Sequence, residues 1–341
     1  MNKEVQEREN SKPLLTIAIP TYSRARYLRE LLSALFDQLI DEPRVELIIS
    51  DNASRDETPA LVEEFQKRGL QLRSIRNEEN IGADANFLQC FELARGKYFW
   101  LFGDDDIIVS GGVASVLSHL EAREFDLVYI ENYPIIGLDR PPALKSNICA
   151  TEIEDPRIFA SRVHIFFTFI SGNIINKDRV QEQESPPFAA LVGTNLVQLG
   201  WTYAALNRFV CGLHIQEKLI GARVNNTGGY KLMEVFGSTL LRVTSQRLQA
   251  ENLRRVIING TVQRFWPGIL LAYRRSNHNF EREAAPHRIL TGTFKGSLRF
   301  WTFVCPIIVL PFPIAASWLL LVRVLNRIDR ALGYFMLRWG T

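Results

Sequence analysis

The chain has 341 residues, 47% of them apolar and 23% charged, and a net charge of +3 at pH 7. That is a globular composition with room for a large core and one or two domains, and the near-neutral balance gives no reason to expect a nucleic-acid partner. Cys90, Cys149, Cys211 and Cys305 stand far apart without paired spacing, so they read as reduced thiols of a cytosolic compartment, and no zinc site is expected.

Residues 1–13 are mostly polar and charged and read as a flexible N-terminus. They lack the apolar stretch of a signal peptide, so the main domain is expected to stay in the cytosol. The apolar run 14–19, ended by Pro20, is a buried strand. Tyr27, Leu28, Leu31, Leu32, Leu35 and Phe36 then recur at helical spacing. Residues 45–50 form a second strand, closed by Asp51-Asn52-Ala53-Ser54, and Thr58-Pro59 opens a helix. Residues 70–75 read as a third strand and 85–94 as a helix. The run Tyr98-Phe99-Trp100-Leu101-Phe102 is a fourth strand, leading through Gly103 into Asp104-Asp105-Asp106. Strands alternating with helices imply a mostly parallel, Rossmann-like α/β sheet with helices on both faces.

Ligands of such sheets bind beyond the carboxyl ends of the strands. Here Thr21, Tyr22 and Arg24 follow the first strand, and Asp51 and Asn52 the second. Asn80 and Gly82 follow the third, and the three carboxylates the fourth. Each end alone is ordinary turn chemistry. Together they mark one crevice. Three adjacent carboxylates repel one another unless a cation sits among them, so the last of these ends suits a divalent metal against a phosphorylated substrate.

The chain resembles a family 2 glycosyltransferase of GT-A fold. The resemblance rests on Ile17-Ala18-Ile19-Pro20-Thr21-Tyr22-Ser23-Arg24, on Ile48-Ile49-Ser50-Asp51-Asn52-Ala53-Ser54-Arg55-Asp56, on Asn80-Ile81-Gly82 with Asn86, and on Ala94-Arg95-Gly96-Lys97-Tyr98 before the Asp cluster. It covers roughly residues 14–120 and implies a nucleotide-sugar donor with Mn²⁺ or Mg²⁺. By position it implies that Pro20, Thr21, Tyr22 and Arg24 border the nucleotide and that Asp51 and Asn52 lie at the base. Asn80, Gly82 and Asp84 would lie near base and ribose. Asp104 and Asp106 would flank the sugar diphosphate, with Asp105 or Asp106 as metal ligand. The usual motif has an Asp where this chain has Gly103, which leaves the sharing of the metal open.

Residues 125–130 read as a further strand, 135–155 as a loop region and 166–177 as a strand. The resemblance implies that this last strand sets Ser171, Gly172 and Asn173 toward donor or acceptor; a tight turn in a core strand is the alternative. Where the family usually carries an acidic pair whose carboxylate acts as general base, this chain has Thr194 and Asn195, neither of which takes up a proton usefully at neutral pH. That variant resembles the abequosyltransferase-type branch, which transfers deoxysugars onto O-antigen intermediates. Thr194 and Asn195 are then expected to position the acceptor, with Trp201 nearby, and Asp106 to act in catalysis. Residues 209–224 read as paired strands. Asn226 and Gly229 follow in a glycine-bearing loop that could approach the diphosphate. His164 and His214 read as packing residues.

Residues 300–322 carry no charge, a length that can span a bilayer, but Pro306, Pro311 and Pro313 interrupt it. Lys295 and Arg299 precede it, and Arg323, Arg327, Arg330 and Arg338 follow. A single crossing would violate the positive-inside rule at one end. The expectation is a re-entrant or interfacial anchor, continued by an amphipathic helix with Val324, Leu325, Ile328, Leu332, Phe335 and Met336 on one face. A buried helical pair is the alternative.

The organisation expected is a GT-A domain over 14–235, divided at 120 into nucleotide-sugar and acceptor halves. A helical extension over 236–299 and a membrane-associated segment over 300–341 complete it. The activity expected is transfer of one sugar, a deoxyhexose among the candidates, to a lipid-linked or polysaccharide acceptor such as a glycan on a polyprenyl diphosphate. The site of action would be the cytoplasmic face of the inner membrane, in O-antigen or other cell-surface glycan synthesis. A nucleotidyltransferase is the enzymatic rival, disfavoured because residues 20–26 lack glycine. A non-catalytic nucleotide- or glycan-binding scaffold is the other.

Overall fold

β1 (Leu15–Thr21) is buried at every position, as a central strand covered on both faces must be. It belongs to a computed structural model that describes residues 12–136, 149–180, 186–224, 229–275, 280–281, 283 and 285–333. In chain order there follow α1 (Ala25–Leu39), β2 (Val45–Asp51), α2 (Thr58–Lys67), β3 (Arg73–Arg76), α3 (Ala83–Leu93), β4 (Tyr98–Leu101), β5 (Ile107–Ile108) and α4 (Gly112–Ala122). Then come β6 (Leu127–Ile135), β7 (Ala150–Ile153), α5 (Pro156–Val163), β8 (Asn173–Asn176), α6 (Leu199–Asn207) and β9 (Gly212–Arg223). Six more helices close the described chain: α7 (Leu240–Arg247), α8 (Glu251–Gly260), α9 (Trp266–Tyr273), α10 (Pro286–Phe294), α11 (Cys305–Val309) and α12 (Phe312–Ala331).

The described residues fall into two compact units. One comprises those of Met1–Glu152 and Phe169–Val224, the other those of Ile153–Thr168 and Asn225–Thr341. The segment Ile153–Thr168, which the sequence reading keeps within the acceptor half, thus clusters with the C-terminal helices.

The first unit is built on a nine-stranded sheet in the order β3-β2-β1-β4-β8-β6-β9-β5, with β7 paired to β9. β3, β2, β1 and β4 run parallel, as the alternating pattern requires. The other half is mixed rather than mostly parallel. β8 lies antiparallel between β4 and β6, and β5 runs antiparallel to β9. β9 is one continuous strand, not a hairpin, and it runs parallel to β6. Pro20 lies inside β1, opposite Ser50 of β2. It costs no rung there, because the last bond from the β4 side is made by the Phe102 N–H to Ala18.

One face of the sheet is covered by α1, α2 and α4. Leu28, Leu32, Phe65, Val116 and Leu120 join Ile17, Ile49 and Trp100 in a single core. The other face carries an aromatic cluster. Trp201 of α6 stacks flat on Phe91 of α3, with ring centroids 4.9 Å apart, and meets Phe99 of β4 edge-on. Trp201 is only 3% exposed, so the expectation that it meets the acceptor is corrected: its indole fills the core.

The second unit has its own core, centred on Trp266, Leu270, Phe294, Phe300, Ile307, Ala315, Leu319 and Val322. The charge-free run 300–322 therefore spends one stripe of side chains on this core. It breaks at Leu310, where the chain becomes extended before Pro311 and α12 begins. No helix among the described residues is long and apolar enough to cross a membrane. A buried ion pair between Arg264 and Asp329, 2.6 Å apart, ties α12 to the turn before α9. Val324, Ile328 and Leu332 are exposed as the amphipathic reading requires, while Leu325 packs on the core. Phe335 and Met336 lie outside the described residues.

Gly96 shows how tightly the first unit is closed. A Cβ there would fall 2.6 Å from the Thr16 backbone nitrogen and 2.8 Å from the carbonyl carbon of Leu15. The Gly96 N–H donates to Thr16 Oγ1, and that hydroxyl donates to Glu46. Gly96→Ala must push β1 away from the turn before β4 and is expected to cost about 2 kcal/mol. Urea unfolding should show a lower midpoint with an unchanged slope.

Candidate active site

Four strand ends meet at one rim of the sheet. β1 delivers Thr21 to Arg24, β2 delivers Asp51 and Asn52, β3 leads into Asn77, and β4 leads into the loop Gly103-Asp104-Asp105-Asp106. Asp104 and Asp106 are only 4% and 6% exposed. Two carboxylates so deeply placed need partners from elsewhere in the chain.

Thr21 Oγ1 donates to Asp104 Oδ2 at 2.7 Å and Arg24 Nη1 donates to Asp104 Oδ1 at 3.1 Å. The same guanidinium lies 3.6 Å from Asp105 Oδ2. Burial nevertheless pushes the Asp104 carboxyl up to about 6, with Arg24 pulling it down and Asp105 adding to the rise. Ser171 Oγ donates to Asp106 Oδ2 at 2.5 Å and accepts the Gly103 N–H at 2.9 Å. The Arg223 N–H donates to Asp106 Oδ1 at 3.1 Å. Burial, and then the Asp105 charge, push Asp106 up to about 7. The Arg223 side chain grips the same loop, its Nε donating to the Asp105 carbonyl at 3.1 Å. Its Nη2 donates to Glu30 at 2.6 Å, and its guanidinium lies 4.8 Å from the Tyr27 ring.

Gly103 is where this loop opens. A Cβ on it would stand 3.1 Å from Asp106 Oδ2, 3.2 Å from Asp105 Oδ1 and 3.3 Å from Ser171 Oγ. Two carboxylate oxygens therefore converge on space that a side chain would fill. That is a donor set of the hard-oxygen kind that Mg²⁺ and Mn²⁺ take, and it fits such a cation. Among the described residues no group of three or more His, Cys, Asp and Glu is arranged to hold a metal, so the protein would supply two carboxylates and leave the remaining positions to other ligands.

A pocket of about 840 Å³ adjoins this cluster on the β1–β3 side. Tyr22, Ser54, Asp56, Arg76, Asn77 and Asn80 line it. Tyr22 is 44% exposed, an aromatic face presented to solvent. Asp51 is buried, and its Oδ1 accepts the Ser54 N–H at 2.9 Å. Its Oδ2 accepts no hydrogen bond and has only the Arg76 guanidinium at 3.4 Å. An orphaned buried carboxylate oxygen awaits a donor.

Several residues expected to touch a ligand hold the scaffold instead. Asn52 is a buried hub. Its amide donates to Asn80 Oδ1 and to the Gly82 carbonyl, and its oxygen accepts from Asn77 and from the Ile81 N–H. It staples the loop before α3, where Gly82 takes φ +86°. Asp84 does not open toward a ribose. Its carboxylate is buried and accepts the N–H groups of Asn195 at 2.7 Å and Val197 at 3.3 Å. Burial raises this carboxyl, and the backbone donors oppose the rise. Thr194 Oγ1 is also committed, donating to the Leu191 carbonyl and accepting the Leu196 N–H. Asn195 is exposed at φ +59°.

Pro20 is buried within β1. Gly172 is wedged against Phe169 and Tyr129, and the Asn173 amide donates to the Phe169 carbonyl. Gly229, at φ +67°, belongs to the second unit, and Asn226 lies outside the described residues. Arg223 and Arg76 went unseen in the sequence. Arg223 is 117 positions from Asp106, and nothing local to it signals the contact.

Residues 16–181 match the family described as glycosyl transferase family 2. The chain is 29% identical over 232 residues to abequosyltransferase RfbV of Salmonella typhimurium, covering 62% of this chain and 67% of that protein. It is 30% identical over 97 residues to the putative teichuronic acid biosynthesis glycosyltransferase TuaG of Bacillus subtilis, which is 28% of this chain and 38% of TuaG. The crystal structure of S. aureus TarS 1-349 in complex with UDP matches with a TM-score of 0.61 at 16% identity, over 89% of this chain and 87% of that one. That likeness is one of fold.

Both raised carboxyls keep protons in the folded protein that the unfolded chain releases near 3.8. Their contribution to stability is present below that value and is lost as pH rises through about 6 to 7. In EDTA the melting temperature should therefore fall between about pH 5 and pH 8, and Asp106→Asn should flatten the decline. Circular dichroism melts across that range check it.

Proposed function

Residues 16–181 of this chain belong to glycosyl transferase family 2, and from that premise we propose that the protein moves one sugar from a nucleoside-diphosphate sugar to a glycan acceptor. The observation that carries the donor half is the paired convergence of Asp105 and Asp106 above Gly103, beside a pocket of nucleotide size. In this reading Tyr22 stacks on the base, and Asp51 Oδ2, which accepts no hydrogen bond within the chain and faces only Arg76, accepts one from it. Arg24 and Thr21 hold Asp104 so that the loop keeps its shape when the diphosphate enters. A divalent cation held by Asp105 and Asp106 would neutralise charge on the departing diphosphate.

The sugar and acceptor follow from the relatives' names and remain part of the proposal. RfbV is named an abequosyltransferase and TuaG a putative teichuronic acid biosynthesis glycosyltransferase. We place the activity on a lipid-linked or polysaccharide acceptor, with a deoxyhexose as the donor sugar to try first. The test is thermal stabilisation by CDP-, UDP-, GDP- and dTDP-sugars, with and without Mn²⁺. One donor should raise the melting temperature, and more so with Mn²⁺. Asp105→Ala and Asp106→Ala should abolish the Mn²⁺-dependent part and lower transfer by at least about 100-fold. A flat screen across all donors would sink the reading.

For the second unit we infer peripheral docking on the cytoplasmic face of a membrane. α12 exposes Ile314, Leu320, Leu321, Val324 and Ile328, and Leu332 continues that face. Arg323, Arg327 and Arg330 run along one flank of the stripe. An apolar stripe edged with arginines suits an anionic lipid surface, and α12 is too polar to cross one. Leu321→Glu with Ile328→Glu should lower sedimentation with phosphatidylglycerol vesicles by about tenfold or more, without changing the melting temperature. Equal sedimentation by parent and variant would rule this face out.

A further inference from the structure

Transfer of a sugar to a hydroxyl releases a proton, and a group at the site must take it. Thr194 and Asn195 are not bases. Asp84 is enclosed by backbone N–H groups, and Asp104 and Asp106 are buried and already hydrogen-bonded. Of the carboxylates on the mixed half of the same sheet, which include Glu152 on β7 and Glu217 on β9, one meets a buried histidine.

Glu131 follows Tyr129 by two residues on β6 and is 38% exposed at its side chain. Its Oε1 lies 3.1 Å from Nε2 of His214, which is only 4% exposed. His214 sits on β9 directly opposite Tyr129, its ring 5.5 Å from the tyrosine ring. A buried imidazole thus holds one oxygen of a carboxylate whose side chain is partly exposed. The β6–β8 pairing brings that carboxylate toward the donor. It sets Leu127 against Ile175 and Tyr129 against Asn173, the first residue of β8, just after the 3-10 turn Ile170–Gly172 that carries Ser171. Ser171 is the residue whose hydroxyl holds Asp106. Gly172 between them lies flat on Tyr129, where a Cβ would fall 3.2 Å from Cε2.

We propose that Glu131 is the general base of the transfer and His214 its positioning residue, an inference that rests on the transferase reading above. The acceptor O–H passes its proton to the free Glu131 oxygen as the acceptor oxygen bonds the anomeric carbon. The bond from that carbon to the diphosphate oxygen breaks, and its electron pair leaves with the nucleoside diphosphate. Water then takes the proton from Glu131.

The test measures release of nucleoside diphosphate by the full chain. CDP-, UDP-, GDP- and dTDP-sugars serve as donors, octyl glycosides as acceptors, and Mn²⁺ is present. Glu131→Gln keeps the shape and the hydrogen bond to His214. It should lower kcat by at least about 100-fold, with donor KM within about threefold and an unchanged melting temperature. Glu131→Asp should recover part of the lost rate, and His214→Gln should lower kcat by about tenfold with KM retained. If Glu131→Gln does not fold, Glu131→Asp carries the test, with kcat at least about tenfold down at constant KM. A Glu131→Gln kcat within threefold of the parent overturns the assignment, and so do KM and melting temperature falling together with kcat. A parent that releases no diphosphate from any donor fails differently: it removes the transferase premise, and this inference with it.

Discussion

Three carboxylates in succession at a buried strand end are the constraint around which the first unit is arranged. Each must find a cation, a proton or a hydrogen-bond donor, and no local segment can supply enough of them. The loop draws Thr21 and Arg24 from the end of β1, Ser171 from just before β8, and Arg223 from the end of β9. These partners come from both the parallel and the mixed half of the sheet. The electrostatic need of one loop thus fixes where three other strand ends must stop. It also explains why the mixed half is present: an antiparallel β8 beside β4 is what brings Ser171 to Asp106. Even with these partners, burial first and the Asp105 charge after it keep the Asp104 and Asp106 carboxyls raised.

The same demand for satisfaction sorts residues that look alike in sequence. Asn52 and Asp84 sit in motifs that read as ligand contacts, yet both are buried and turned onto backbone groups. A loop that must present ligand-binding atoms needs its own N–H and C=O groups paired, and short polar side chains do this at least entropic cost. Asn52 fixes residues 77–82, and Asp84 fixes residues 193–197. Tyr22 is left exposed, and one buried oxygen of Asp51 accepts no hydrogen bond and faces only Arg76.

Much of this was legible in the chain itself. The first four strands and their helices follow from apolar runs and helical spacing, and parallel order follows from their alternation. Gly96 stood in the sequence only as part of a family stretch, and its close approach to β1 appears once the structure is known. What was not legible is non-local. Nothing in the run 209–224 tells a hairpin from one long strand, because both satisfy the same period. Arg223 lies far from Asp106 in sequence, and Trp201 has the same composition signal in a core as at a binding site. The charge-free run 300–322 misleads for a related reason. Hydropathy counts apolar residues without asking which side they face, and here one stripe fills a core while the other stays exposed.

The contrast between Asp84 and Glu131 carries this further. Asp84 lies at the loop 193–197, and Glu131 lies on β6 beside His214. Asp84 is enclosed by several backbone donors, which fix its orientation and leave it no lone pair aimed at solvent. Glu131 has one buried partner, His214, and an open side. A group that must hold a loop benefits from many donors and full burial. A group that must take a proton and release it needs one fixed oxygen and one accessible oxygen. Environment, and not residue type, thus divides the two carboxylates between scaffold and chemistry. On the proposal above, a chain with no acid at 194 and 195 would draw its base from this second kind of environment.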